Sequence, residues 1–216
     1  MQPRPVLFCD IDNCLYPKST GIALLMKERI YKYGQRIGIP EQEVIHLCET
    51  YYREYGLAIR GLLKHHVIDP ADYDAQVDGT LPLEEILNKD PELRAMLQAT
   101  KARRVAFTNA GRNHAVRVLR CLDVIDLFEE LVYCEYADPN FTCKPEKESF
   151  MRAMRQARVT DPQLCYFVDD SLDNVKMAKA LGWHAVHLDP EGLTADRDIQ
   201  CITDILQLRE AFPGLW

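Results

Sequence analysis

The chain has 216 residues, 47% of them hydrophobic and 27% charged, and a formal net charge of -7. This is the make-up of an ordinary globular protein, long enough for one large domain or two modest ones. Its acidic balance argues against a nucleic-acid polymer as partner, because such binders carry a basic face. A small anionic substrate stays compatible, since a few local cations and a metal can outweigh the global field. No apolar run approaches the roughly 18 residues needed to span a bilayer, and Arg4 with a short apolar stretch before Asp10 makes no secretory signal. The eight cysteines are scattered, form no CxxC pair and in part lie within apolar runs. They read as buried free thiols of a reducing compartment, the cytoplasm or alternatively the nucleus.

Val6 to Asp10 reads as a buried strand, apolar and bounded by Pro5. It runs into Asp10 and Asp12, which in an extended chain share one side while Ile11 points away. Two carboxylates that close repel, and burying either alone costs several kcal/mol, so a divalent cation would compensate them most simply. A solvated acidic turn explains the pair equally well. After the loop from Tyr16 to Gly21 the texture changes. From about Ile22 to Ala99 the apolar residues recur at helical spacing: Ile22, Leu25, Met26 and Ile30, then Val44, Leu47, Cys48 and Tyr51. Asp69-Pro70 and Asp90-Pro91 each pair a helix N-cap with proline at the first helical position.

From Arg104 onward strands alternate with helices. Val105 to Phe107, Leu131 to Cys134, Leu164 to Val168 and His184 to Leu188 read as strands. Gly111 opens a helix reaching Leu122, and Glu146 to Arg158 forms another. Ser171 caps a third over Leu172 to Leu181, and Thr203 to Glu210 forms the last. The alternation implies an α/β fold, a Rossmann-like doubly wound parallel sheet covered on both faces. One strand precedes the helical block and the others follow it, so the block is an all-helical cap inserted into that core. The predicted division assigns 1–16 and 101–216 to the core and 17–100 to the cap.

Three core strands end in reactive polar residues: Asp10 and Asp12, Thr108 and Asn109, Asp169 and Asp170. Ligand sites of open parallel sheets form outside the carboxyl ends of the strands, which brings these groups to one edge. Each has a plain reading when taken alone. Thr108-Asn109 can make hydroxyl-to-backbone bonds at a loop start, and Asp169-Asp170 can be acids favoured by a helix dipole. Lys144, biased to an extended conformation by Pro145, supplies the positive charge that four carboxylates lack.

In this order the motifs Asp10-Ile11-Asp12-Asn13-Cys14, Thr108-Asn109, Lys144-Pro145 and Asp169-Asp170-Ser171 resemble the haloacid dehalogenase-like (HAD) hydrolase superfamily. The stretches Leu15 to Gly21, Tyr51 to Leu57, Arg60-Gly61-Leu62 and Asn113-His114-Ala115 are most similar to its fungal and plant pyrimidine 5'-nucleotidase-like group. The resemblance implies a phosphomonoesterase. Asp10 would attack phosphorus to give an aspartyl-phosphate, and Asp12 would protonate the leaving oxygen, then deprotonate water. Mg2+ would be held by Asp10, the Asp12 backbone carbonyl and the Asp169-Asp170 pair, with Asn174 supporting a ligand from its helix. Thr108 would hydrogen-bond a phosphoryl oxygen, and Lys144 would balance charge on Asp10 and the transferring group. Asn109, Tyr51, Tyr55 and Arg60 are the candidate substrate contacts, set against a plain reading of the tyrosines as packing between cap helices. Cys14 stands where the superfamily commonly has threonine, which removes a hydroxyl beside the site.

Within the superfamily, an acid two residues after the nucleophile favours phosphate-ester hydrolysis over carbon-halogen or carbon-phosphorus cleavage, whose leaving groups need no such proton. The implied substrate is a nucleoside 5'-monophosphate, UMP or CMP first, with purine nucleotides, lysophosphatidate or sugar phosphates as alternatives. A phosphomutase and a catalytically silent binding protein on the same fold are the rival readings. A monomer or homodimer is expected, with neither a membrane nor a nucleic acid as partner. His65 and His66, adjacent on a helix, face different ways and make a poor metal pair.

Overall fold

A computed structural model describes residues 4–216. Its centre is a six-stranded parallel sheet in the order β3-β2-β1-β4-β5-β6. The strands are β1 (Val6–Cys9), β2 (Arg103–Phe107), β3 (Glu130–Val132), β4 (Cys165–Asp169), β5 (His184–Leu188) and β6 (Gln200–Ile202). Parallel neighbours require crossovers, and helices supply them on both faces. All four residues of β1 are buried, and they alternate between two apolar clusters. Leu7 and Cys9 join one cluster, Val6 and Phe8 the other. That is the period of two expected of a strand covered on both sides.

Between β1 and β2 lie α1 (Ile22–Arg36), α2 (Glu41–Tyr55), α3 (Ala58–His65), α4 (Pro70–Gln76), α5 (Leu83–Ile86) and α6 (Pro91–Ala99). The caps at Asp69 and Asp90 form as read, each side chain accepting a backbone N–H of its own first turn. The first four helices build most of a third cluster around Tyr33, Val44, Cys48, Tyr51, Leu62 and Tyr73, which Cys134, Phe141 and Cys143 complete from the segment after β3. There α3 approaches α2 so closely that a Cβ on Gly61 would lie 2.1 Å from Tyr51 Cγ, a contact only glycine permits. Leu83, Leu93, Met96 and Leu97 instead pack with Leu7 and Cys9 of β1. By packing, α5 and α6 cover the sheet, as does Ile22 at the start of α1.

After β2 come α7 (Arg112–Cys121), α8 (Lys147–Gln156), α9 (Leu172–Ala180) and α10 (Leu208–Ala211). Three expectations shift here. The strand read at Leu131 to Cys134 starts one residue earlier and ends at Val132. β6 went unread because its three residues carry too little periodicity. The last helix is shorter than Thr203 to Glu210: a 3-10 turn over Ile205–Gln207, held by a reciprocal Asp204–Gln207 capping box, leads into α10. Ser171 occupies the N-cap of α9, but its side chain makes no capping bond. All eight cysteines are free, and among the described residues no helix is long and apolar enough to cross a membrane.

Candidate active site

Register brings the strand ends level. Cys9 pairs with Ala106 on one side and Val168 on the other, so Asp10 and Asp169 emerge side by side and Thr108 leaves β2 next to them. The loop before α8 carries Lys144 across this edge. Asn109 fixes it there: the amide donates to the Lys144 carbonyl at 2.8 Å and accepts its N–H at 2.7 Å. Expected at the substrate, Asn109 is engaged at both ends of its amide with the Lys144 backbone. Thr108 is buried, and its hydroxyl oxygen accepts the Ala110 N–H at 3.0 Å, which leaves the hydroxyl hydrogen to donate.

Lys144 is only 2% exposed, and its Nζ donates to Asp10 Oδ1 at 2.6 Å, to Asp169 Oδ2 at 2.7 Å and to the Phe107 carbonyl at 2.6 Å. All three ammonium donors are thereby used. Burial opposes the charged ammonium, but Asp10 and Asp169 outweigh it and hold Lys144 charged above its usual range. Burial pushes the Asp10 carboxyl up. Lys144 pulls it back, while Asp169, Asp170 and Asp12 push it up again. One ammonium leaves this group of acids undercompensated.

Oxygens of Asp10, Asp169 and Asp170 lie within 4.8 Å of one another. Asp169 already accepts from Lys144, from the Ser171 N–H at 2.8 Å and from the Asn174 amide at 2.9 and 3.1 Å. Asp170 is pushed up to about 6 by burial and Asp169, with Lys144 and an Asn13 hydrogen bond opposing. A carboxylate held up in this way gains most from a nearby cation. Three hard oxygen donors around one point fit a small divalent ion.

Asp12 is set apart from that group. Its Oδ1 accepts the Tyr16 hydroxyl at 2.6 Å and lies 2.6 Å from His114 Nε2, while its side chain keeps 31% exposure. Burial pushes Asp12 up, but the His114 charge and the two hydrogen bonds outweigh it and leave the carboxyl below its ordinary range. Cys14, where a threonine hydroxyl was missed, turns its Sγ toward the Val168 carbonyl at 3.8 Å within the apolar core.

A family model for haloacid dehalogenase-like hydrolases matches residues 5–182. The chain belongs to the haloacid dehalogenase-like hydrolase family. Phosphate metabolism protein 8 of Saccharomyces cerevisiae is 38% identical over 200 residues, which are 86% of this chain. The match spans 62% of the length of that relative. Among solved structures, YfnB of Bacillus subtilis bound to magnesium superposes with a TM-score of 0.65 at 16% identity, over 97% of this chain and 98% of that one. The HAD phosphatase of Thermococcus onnurineus reaches 0.62 at 19%, over 98% and 99%. The L-2-haloacid dehalogenase of Xanthobacter autotrophicus with chloropropionic acid covalently bound reaches 0.60 at 11%, over 99% and 100%. Identities this low speak for the fold alone, and function has to be argued from the site.

In this HAD-like hydrolase three of the expected substrate contacts have protein partners. Tyr51 is buried in the cap, stacked on His65 at 5.2 Å with its hydroxyl 3.0 Å from His66 Nε2. The Tyr55 hydroxyl lies 2.9 Å from His65 Nε2. Arg60 donates to Glu146 at 2.6 Å and to the Tyr55 carbonyl at 2.9 Å, which ties the cap to the loop that carries Lys144. Tyr52 is the cap aromatic that feels the charge of the acids. The residue is 63% exposed, and its hydroxyl is pushed up by desolvation and then by Asp170 and Asp169. His114 and Tyr16 carried no role in the sequence reading. The available signal was spacing: Tyr16 stands four residues after Asp12, and His114 in the first turn after the β2 strand end.

Asp78, at the foot of the cap, yields a pH prediction. It is 2% exposed and pushed up to about 7 by burial, with His114 opposing and Asp74 and Asp12 adding to the rise. Below the ordinary carboxylate range both states hold the proton. Between that range and about 7 only the folded chain does, so stability falls as pH rises through this window. Asp78→Asn removes the penalty. Its urea midpoint should match the wild type most closely near about pH 3 and exceed it increasingly up to about pH 8. A constant offset at both pH values would contradict a buried, proton-holding Asp78.

Proposed function

We propose that this protein is a magnesium-dependent phosphomonoesterase that acts through an aspartyl-phosphate on Asp10, with a nucleoside 5'-monophosphate, UMP or CMP first, as substrate. The observation that carries the reading is the division of labour between two acids. Asp10 is clamped to Lys144 at the sheet edge, while Asp12 is held apart by His114 and Tyr16 with its side chain partly exposed. In the first step Asp10 attacks phosphorus, the bond to the leaving oxygen breaks, and Asp12 gives that oxygen a proton. The dianionic substrate beside Asp12 favours the protonated form that this step requires. In the second step water attacks phosphorus, its proton passes to Asp12, and the Asp10 carboxylate is released with phosphate. Thr108 donates to a phosphoryl oxygen, and Lys144 balances charge on Asp10. Asp10, Asp169, Asp170 and the Asp12 carbonyl would hold the magnesium, which supplies charge compensation between carboxylate and phosphate.

An acid two residues after the nucleophile supports ester hydrolysis, because an alkoxide leaving group needs a proton. Similarity to the pyrimidine 5'-nucleotidase-like group supports the nucleotide, and Tyr52 offers a ring on which a base can stack. Free thiols throughout fit a reducing compartment such as the cytoplasm. A phosphate-release panel over nucleoside monophosphates, sugar phosphates and lysophosphatidate tests the reading. Release should require magnesium, stop with a chelator and be fastest with UMP or CMP. A faster lysophosphatidate or sugar phosphate would replace the substrate, and chelator-resistant release would overturn the metal.

A further inference from the structure

We propose that His114 and Tyr16 are positioning residues for proton transfer: they hold Asp12 by Oδ1, so that Oδ2 alone meets the oxygen of the leaving group. This inference rests on Asp12 being the acid and base of the proposed phosphatase reaction. Both partners converge on one oxygen, Tyr16 from four residues along the same loop and His114 from the first turns of α7, each at 2.6 Å. His114 is fully buried, and its place is built from the cap side as well as from the core. A Cβ on Gly111, three residues earlier, would lie 3.2 Å from both Asp74 Oδ1 and Asp78 Oδ2. Arg117, three residues later, donates to the Asp78 carbonyl at 3.0 Å and to the Leu81 carbonyl at 2.7 Å. The imidazole is therefore wedged where the cap meets α7.

The need for an anchor follows from charge. Asp12 stands two residues from Asp10 and within the field of Lys144. Left unanchored, its carboxylate would be drawn toward the ammonium, and its proton would face Asp10 instead of the substrate. Two donors on Oδ1 offset that pull and fix the side-chain torsions, so the reacting oxygen is preorganised. A leaving group that departs as a stable anion needs no proton, so misplacing Asp12 should lower kcat/KM mainly for poor leaving groups. That ratio reports steps through leaving-group departure, while the later water step slows alike for all.

The test compares kcat/KM for an alkyl phosphomonoester and for p-nitrophenyl phosphate in four variants. His114→Phe keeps the volume and loses the donor, His114→Gln keeps a donor, Tyr16→Phe removes one hydroxyl, and Asp12→Asn is the reference. His114→Phe should lose about tenfold or more on the alkyl ester beyond any loss on the aryl ester. Tyr16→Phe should lose less in the same sense, and His114→Gln should recover most of the difference. If Asp12→Asn is selective for the alkyl ester and neither His114→Phe nor Tyr16→Phe is, the positioning role is overturned while the phosphatase reading stands. If Asp12→Asn itself is unselective, the acid role of Asp12 falls and takes this inference with it. Crystal structures give a readout independent of turnover. The Asp12 carboxylate should leave its place in His114→Phe, and an unmoved carboxylate would overturn the anchor. Should His114→Phe fail to fold, Tyr16→Phe carries both measurements.

Discussion

Asp10→Asn removes turnover by on the order of 10⁴-fold or more while the chain stays folded. The amide has nearly the shape of the carboxylate but is too weak a nucleophile to attack phosphorus. Stability should hold or rise, because the Asp10 carboxyl is buried among Asp169, Asp170 and Asp12 and is pushed up by them. Lys144 keeps Asp169 and the Phe107 carbonyl as partners. Phosphate release and a urea titration on the same preparation separate the two effects. Retained activity in a folded variant would remove Asp10 from the chemistry.

Lys144→Met is the second large effect, and it reaches both stability and rate. Lys144 is buried, and removing one partner of a buried ion pair leaves an uncompensated charge, at a cost of about 3–5 kcal/mol. Here two carboxylates lose it at once. The sign of the pH dependence follows from those acids. Without the ammonium, burial and mutual repulsion raise Asp10 further, so the folded variant holds a proton that the unfolded chain has released, and its deficit grows as pH rises. In acid the carboxyls are neutral in both states and the deficit shrinks. Magnesium, by supplying the missing charge, should recover part of the melting temperature but little of the rate. Urea midpoints across pH, with and without magnesium, check this. A deficit that is independent of both would assign Lys144 to packing alone.

The parts of this architecture that repeat were legible before the structure, and those that depend on one contact were not. Asp10, Thr108 and Asp169 were readable as strand-end groups, because parallel register must bring consecutive strand ends to one edge. Asp69 and Asp90 were readable as caps, because Asp-Pro carries its own helix-start chemistry. How α5 and α6 pack was not legible, because they are helices like those before them. Which cluster they join depends on the tertiary position of Leu83 and Leu97, not on helical period. Tyr51, Tyr55 and Arg60 looked like substrate contacts because aromatic and basic residues suit that task. Their partners, His66, His65 and Glu146, lie on separate elements that no spacing rule connects to them. His114 went unassigned for the same reason: the link to Asp12 spans 102 residues.

In the proposed reaction the phosphoryl group passes through Asp10. A radiolabelled phosphomonoester mixed with enzyme and magnesium, quenched in acid within one turnover and digested, tests it most directly. The label should sit on the peptide that contains Asp10, survive acid and be released by hydroxylamine, as an acyl phosphate is. Label that goes straight to inorganic phosphate, with inverted configuration at phosphorus, would mean direct attack by water and would exclude the aspartyl-phosphate.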